Sequence, residues 1–103
     1  VFRYPPFYKL IRITVKHKDE RIVNEASSLL AYDLRQVFGN RVLGPEYPSV
    51  SRIRNSYLKN ILVRFEKNEA IAQGKKIIIN ISNNIINQKE YSKVSIIHDV
   101  DPQ

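Results

Sequence analysis

The sequence predicts an α+β fold: one four-stranded antiparallel sheet with two helices, in the order βαββαβ. Three observations carry that expectation. Apolar and polar residues alternate over 9–17 and again over 58–65, the two-residue period of a strand with one buried face. Apolar residues over 19–38 recur at three and four, the period of a helix buried along one side. Polar residues over 73–87 recur at helical spacing inside an isoleucine-rich run.

Residues 1–8 read as an extended leading segment. Pro5-Pro6 disfavours helix for itself and for Tyr4, and Phe2, Tyr4, Phe7 and Tyr8 supply rings to pack onto the domain. Lys9 to His17 is the first strand. Ile11, Ile13 and Val15 form one face, and Leu10, Arg12, Thr14 and Lys16 form a wetter, basic one. Asp19 can cap a helix, and Glu20 favours the positive end of its dipole. That helix runs to Phe38, with Gly39 placed to close it. Its expected buried stripe is Val23, Ala26, Leu30, Leu34 and Val37, with Arg21, Glu25, Ser28, Tyr32 and Arg35 on the opposite side.

The next two strands fall within Val42 to Phe65. Gly44-Pro45 and Pro48 predict a sharp turn in place of regular structure, because glycine frees the backbone and proline fixes φ and lacks a donor. From Leu58 onward, Lys59, Ile61, Val63 and Phe65 point one way, and Leu58, Asn60, Leu62 and Arg64 the other. Residues 68–90 pose an ambiguity, since Ile77-Ile78-Ile79 and Ile81 favour a strand by propensity. The polar residues decide it. Gln73, Lys76, Asn80, Asn83, Asn84 and Asn87 trace one helical face, while Ile71, Ile78, Ile81 and Ile85 occupy the other. A helix starting around Glu69 is expected, with Gly74 costing about 1 kcal/mol relative to alanine. Val94 to Val100 is the last strand, ended by Pro102. With right-handed crossovers this is a ferredoxin-like split βαβ.

The bulk properties bound the function. The 103 residues are expected to form one domain, 1–103, large enough to bury a core without staples. Cysteine is absent, which excludes disulfides and thiolate metal sites. Methionine is absent too and Val1 comes first, so the stretch reads as a fragment of a longer chain. No apolar run approaches membrane-spanning length, and no leader of signal-peptide type is visible. The net charge of +7 is unevenly spread. Arg3, Lys9, Arg12, Lys16 and Lys18 give residues 1–18 a charge of +5, with no acid. Residues 41–67 carry +4, from six bases against Glu46 and Glu66. Residues 19–40 carry −2, and residues 68–103 balance. Charge concentrated on the first strand and the central stretch favours a polyanion-facing surface over a general solubility charge. The bland alternative is a solvated basic face with no partner.

Enzyme signatures are missing. No phosphate-cradling Gly-x-x-x-x-Gly-Lys-[Ser/Thr] occurs, and Gly74-Lys75-Lys76 is not one. His98 with Asp99 and Asp101 suggests a metal site only until strand alternation is considered, because neighbours on a strand face opposite ways. A strand terminus with a capping aspartate is the simpler reading. His17 at a strand exit reads as exposed. The chemistry concentrates instead at Arg52, Arg54, Tyr57 and Lys59, with Arg41, Arg12 and Lys16 as further candidates for contact with phosphates. Arginine forks onto phosphate oxygens, and a tyrosine ring offers a stacking face to an unpaired base. The alternative is that Tyr57 is a hairpin core residue and the arginines pair with Glu46 and Glu66.

Three motifs carry a family resemblance. Val42-Leu43-Gly44-Pro45, Pro48 and the run Arg52-x-Arg54-x-x-Tyr57 into an apolar strand form the first. Tyr4-Pro5-Pro6-Phe7 precedes it, and Asp99-Val100-Asp101-Pro102 closes the chain. Together they resemble the C-terminal domain of the primosomal helicase PriA (primosomal protein N′), over nearly all 103 residues. Around the tyrosine the chain departs from that family, with Asn55, Ser56, Leu58 and Lys59 where a glycine, further arginines and a tryptophan are common. The resemblance implies the same βαββαβ layout, similar to a small-subunit ribosomal protein. It also implies a parent that is an ATP-dependent DNA helicase of replication restart, cytoplasmic and nucleoid-associated. ATP, magnesium and a structural zinc would belong to the parent's other lobes, leaving this stretch with no enzyme activity and no cofactor. Implied partners are branched or single-stranded DNA, the helicase lobes of the same chain, single-stranded-DNA-binding protein and primosome proteins, with no membrane. The competing readings are a stand-alone RNA-binding or ribosomal-protein-like module and a small acylphosphatase-like enzyme. Against them, Asn60–Phe65 lacks the glycine and paired aromatics of an RNP1 motif, and no glycine-rich anion loop occurs.

Overall fold

The computed structural model describes residues 8–48, 52–66 and 71–100, without the side chains of Tyr8, Arg52 and Ile53. The Tyr4-Pro5-Pro6-Phe7 segment, a helix start near Glu69 and the Asp101-Pro102 terminus lie outside the described residues. Strand β1 (Tyr8–His17) is flanked by β4 (Ser56–Glu66) and β5 (Ser95–Val100), and β4 carries β2 (Val42–Glu46) on its other side. The order β2-β4-β1-β5 is antiparallel throughout, and the two-residue β3 (Arg52–Ile53) pairs with the start of β4. Helices α1 (Glu20–Phe38) and α2 (Ile71–Ile86) complete the ferredoxin-like βαββαβ arrangement.

Local chemistry sets the helix ends. The Asp19 carboxylate accepts from the Arg21 N–H at 2.9 Å, and Gly39 closes α1 at φ +62°. In α2, Ile78 and Ile85 are fully buried and Ile81 packs against the core, while Asn80, Asn83 and Asn84 are exposed. The asparagine stripe thus outweighs the β-propensity of the isoleucines. The core lies between the helices and one sheet face: Ile11, Ile13, Val15, Ile61, Val63 and Phe65 from the strands, and Val23, Ala26, Leu30 and Leu34 from α1. Tyr91 adds a tie from the far side, donating its hydroxyl to Glu25 at 3.4 Å.

Two expectations are corrected. Val37 is 52% exposed and does not belong to the buried stripe. The inner row continues by steps of four from Leu30 through Leu34 to Phe38, whose ring meets Phe65 edge-on at 5.5 Å. Regular structure also does not stop at Gly44-Pro45, since β2 passes through it from Val42 to Glu46. A register shift between Leu43 and Glu46 absorbs the proline on this edge strand. Gly44 is needed there, at φ +101°, because a Cβ would lie 2.8 Å from the Asn60 carbonyl oxygen. Arg35 donates to the Gly44 carbonyl at 2.6 Å, tying α1 to the bulge.

Candidate nucleic-acid interface

The hairpin that carries the arginines is closed by two residues. Ile53 pairs with Ser56, and Arg54 and Asn55 between them both have positive φ, +51° and +66°. Only a primed turn has that combination, and its twist suits the flanking strands. Asparagine tolerates the left-handed region, whereas an arginine there costs about 1–2 kcal/mol. The turn therefore holds the exposed Arg54 in a conformation its backbone disfavours. Such strain persists where surrounding pairing over-determines it. The Arg52 backbone pairs with Tyr57, and the Arg52 side chain is outside the described residues.

The other candidates separate by face. Tyr57 pairs with His17, is half-buried and packs against the core. Lys59 pairs with Val15, so it too faces the helix side, and its Nζ sits 4.7 Å from the centroid of the Tyr47 ring. Arg12 and Lys16 lie on the opposite, helix-free face. Arg12 Nη2 is 3.6 Å from an Asp99 carboxylate oxygen, with both side chains more than half exposed. Such a surface pair contributes little to stability and leaves the cation available. Half-buried Lys16 pairs across the sheet with Leu58 and Ser95. Arg41, in the 3-10 turn Gly39–Arg41, precedes Val42, which pairs with Val63, well along β4 from the hairpin. The seven candidates do not form one cluster.

Tyr47 is a site residue that the sequence pattern does not single out. Its hydroxyl donates to Glu20 at 3.0 Å and approaches Asn24 at 3.4 Å, and the carboxylate bond pushes its pKa up. It joins the end of β2 to the start of α1 and orients Lys59, a role no local pattern announces. It also borders a shallow cleft of about 260 Å3 on the open face, shared with Arg12, Leu43, Glu46, Asn60 and Leu62.

His98 is a structural residue in this geometry. It faces the helices, half-buried, 3.0 Å from Ser82 Oγ. The Ser82 hydroxyl hydrogen is donated to the Ile78 carbonyl at 2.8 Å, so Oγ accepts from His98 Nε2. Burial, with a smaller contribution from Lys75, lowers the His98 pKa. A serine that is 1% exposed and already committed to a carbonyl cannot serve as a nucleophile. Asp99 points to the other face, toward Arg12. Among the described residues no three metal-ligating side chains converge, and no helix is long and apolar enough to cross a membrane.

Fold and site together define a small ferredoxin-like domain with an exposed arginine on a strained hairpin and a partly basic open sheet face. The chain belongs to the primosomal protein N C-terminal domain family, whose profile matches residues 1–103, the whole chain. Membership carries a primosomal role in replication restart. A solved structure titled "De novo designed protein Foldit4" aligns with TM-score 0.64 and 10% identity over 93% of this chain and 98% of that one. That likeness is one of fold alone. No match is found among curated proteins.

Proposed function

We propose that this chain is the DNA-binding and partner-docking domain of a replication-restart helicase, acting where branched DNA at a stalled fork is recognised and the replicative helicase is reloaded. The observation that carries the reading is the placement of Arg54. A cation held exposed, in a disfavoured backbone conformation, at the tip of a two-residue hairpin makes no contribution to the core. It is well suited to a phosphate. The excess charge of residues 1–18 and 41–67 supports the same polyanionic partner. Arg52, Arg12 and Lys16 would add contacts, and single-stranded-DNA-binding protein, primosome proteins and the helicase lobes are the protein partners in this reading. It sets the domain in the cytoplasm, at the nucleoid.

ATP, magnesium and structural zinc are attributed to the parent's other lobes. The residues present do not fit them: there is no cysteine, no phosphate loop and no convergent ligand set among the described residues. No step of the reading passes through those groups.

The test is a salt titration of forked-DNA binding by wild type and by Arg52→Ala/Arg54→Ala. The double variant should bind more weakly, with the slope of log K against log salt flatter by about 0.7–0.9 for each phosphate it no longer neutralises. Sequence preference should stay the same, because phosphate contacts carry no base information. An unchanged slope with a large loss of stability would instead make the arginines structural.

A further inference from the structure

Three distant segments meet at the end of the sheet where β1 exits. Lys16, His17 and Lys18 come from that exit, Ser56 from the start of β4, and Lys93 and Ser95 from the approach to β5. They line an open cleft of about 380 Å3, within the range of small-ligand sites. Every one of these side chains presents a donor. The three ammonium groups have no acceptor capacity, and the serine hydroxyls can both donate. His17 Nδ1 accepts the Asp19 N–H at 2.9 Å, which leaves Nε2 as the protonated, donating nitrogen of the neutral ring. No carboxylate is among the lining residues. Three like charges around one cleft repel each other, and an anion entering it relieves that repulsion.

We infer that this cleft binds a phosphate group of a nucleic-acid strand, at a site beside the arginine hairpin and distinct from its arginines. The inference rests on the DNA reading above for the identity of the phosphate's carrier. Lysines, hydroxyls and an imidazole N–H, without an arginine fork, suit a phosphate approached as a point charge better than a planar carboxylate held in two places. Continuity supports the same ligand. Ser56 follows directly after the turn residues Arg54 and Asn55, so the cleft lies next to the exposed turn that presents Arg54.

The test uses the 103-residue chain and a single-stranded oligonucleotide. Lys18 and Lys93 are exposed, so Lys18→Ala/Lys93→Ala should fold normally. The charge-matched control is Lys76→Ala/Lys89→Ala, also exposed and not among the residues that line the cleft. The cleft variant should weaken binding and flatten the salt slope by about 0.7 for each phosphate left unneutralised, and the control by clearly less. Titration with inorganic phosphate should move the amide resonances of residues 16–18, 56 and 93–95 in wild type and not in the cleft variant. Equal losses in the two double variants, or phosphate shifts spread evenly over the surface, would reduce the effect to net charge and overturn the site. Unchanged DNA binding by the cleft variant, with Arg52→Ala/Arg54→Ala impaired, would overturn the cleft and spare the hairpin. Loss of binding to an acidic peptide but not to DNA would overturn it in favour of a protein partner. Wild type that binds no DNA at all would sink both readings together.

Discussion

Gly74 meets the ring of Phe65 so closely that a Cβ on Gly74 would lie 2.6 Å from the ring's Cζ. Helix α2 approaches β4 through a glycine, and the ring is itself seated edge-on against Phe38 at an interplanar angle of 79°. Propensity alone predicts that Gly74→Ala gains about 1 kcal/mol. Overpacking a core costs about 1–3 kcal/mol, so the variant should lose stability on balance, by about 1 kcal/mol. Urea unfolding measures it. Phe65→Leu in the Gly74→Ala background should recover part of the loss, and a plain gain from Gly74→Ala would show that the ring yields freely.

The hairpin turn should trade stability against binding. Arg54→Asn with Asn55→Gly installs the pair that positive φ at both positions prefers, at +51° and +66°. Relief of an arginine in the left-handed region should raise stability by about 1 kcal/mol. DNA affinity should fall at the same time. Thermal melts and fork binding on the same preparation read both quantities. Improved stability with full affinity would remove Arg54 from the interface.

Tyr57 needs a variant that separates packing from stacking, since its side chain packs against the core. Alanine would empty that site and cost several times more than an exposed change. Tyr57→Leu keeps an apolar side chain of moderate size while deleting the ring. If the ring stacks on bases, single-strand affinity should drop more than duplex affinity, with the fold retained by circular dichroism. Parallel losses, or none, would leave Tyr57 a core residue.

His98 should make the domain acid-sensitive. Its folded pKa lies below the ordinary 6.5, chiefly through burial. The unfolded chain therefore takes up the proton first as pH falls. The associated stability is fully present above about 6.5 and is lost as pH falls through the folded value. Unfolding free energies measured from about pH 7.5 to about pH 5 should decline in wild type and decline less in His98→Gln. Identical profiles would place the acid sensitivity elsewhere.

Much of the fold was legible because it is encoded locally. Asp19 and Gly39 announce the ends of α1 through capping chemistry and backbone freedom. Asn80, Asn83 and Asn84 mark the wet side of α2, so Ile78 and Ile85 had to face inward whatever they packed against. The alternation over Ile11, Ile13 and Val15 picked out the buried face of β1 without knowledge of its partners. The arginine hairpin was legible as an excursion, and the motifs around it were legible as a family.

What remained was decided by partners far away in the chain. Whether Gly44-Pro45 ended a strand or bulged within one depended on Asn60, whose carbonyl approaches Gly44 only once β2 pairs with β4. Val37 and Phe38 satisfy nearly the same helical period, and the position of Phe65 selected between them. Alternation put Lys59 in one row with Ile61, Val63 and Phe65, but that this row and Tyr57 lie on the helix side was set by pairing with β1, which no window around residue 57 contains. Lys18 and Lys93 share a cleft only because β1 and β5 are neighbours in the sheet. Periodicity and caps arise from interactions within a turn or two of chain, so a sequence displays them directly. Faces, bulges and converging charges arise from pairing between segments tens of residues apart, and they exist only after the chain has closed those loops.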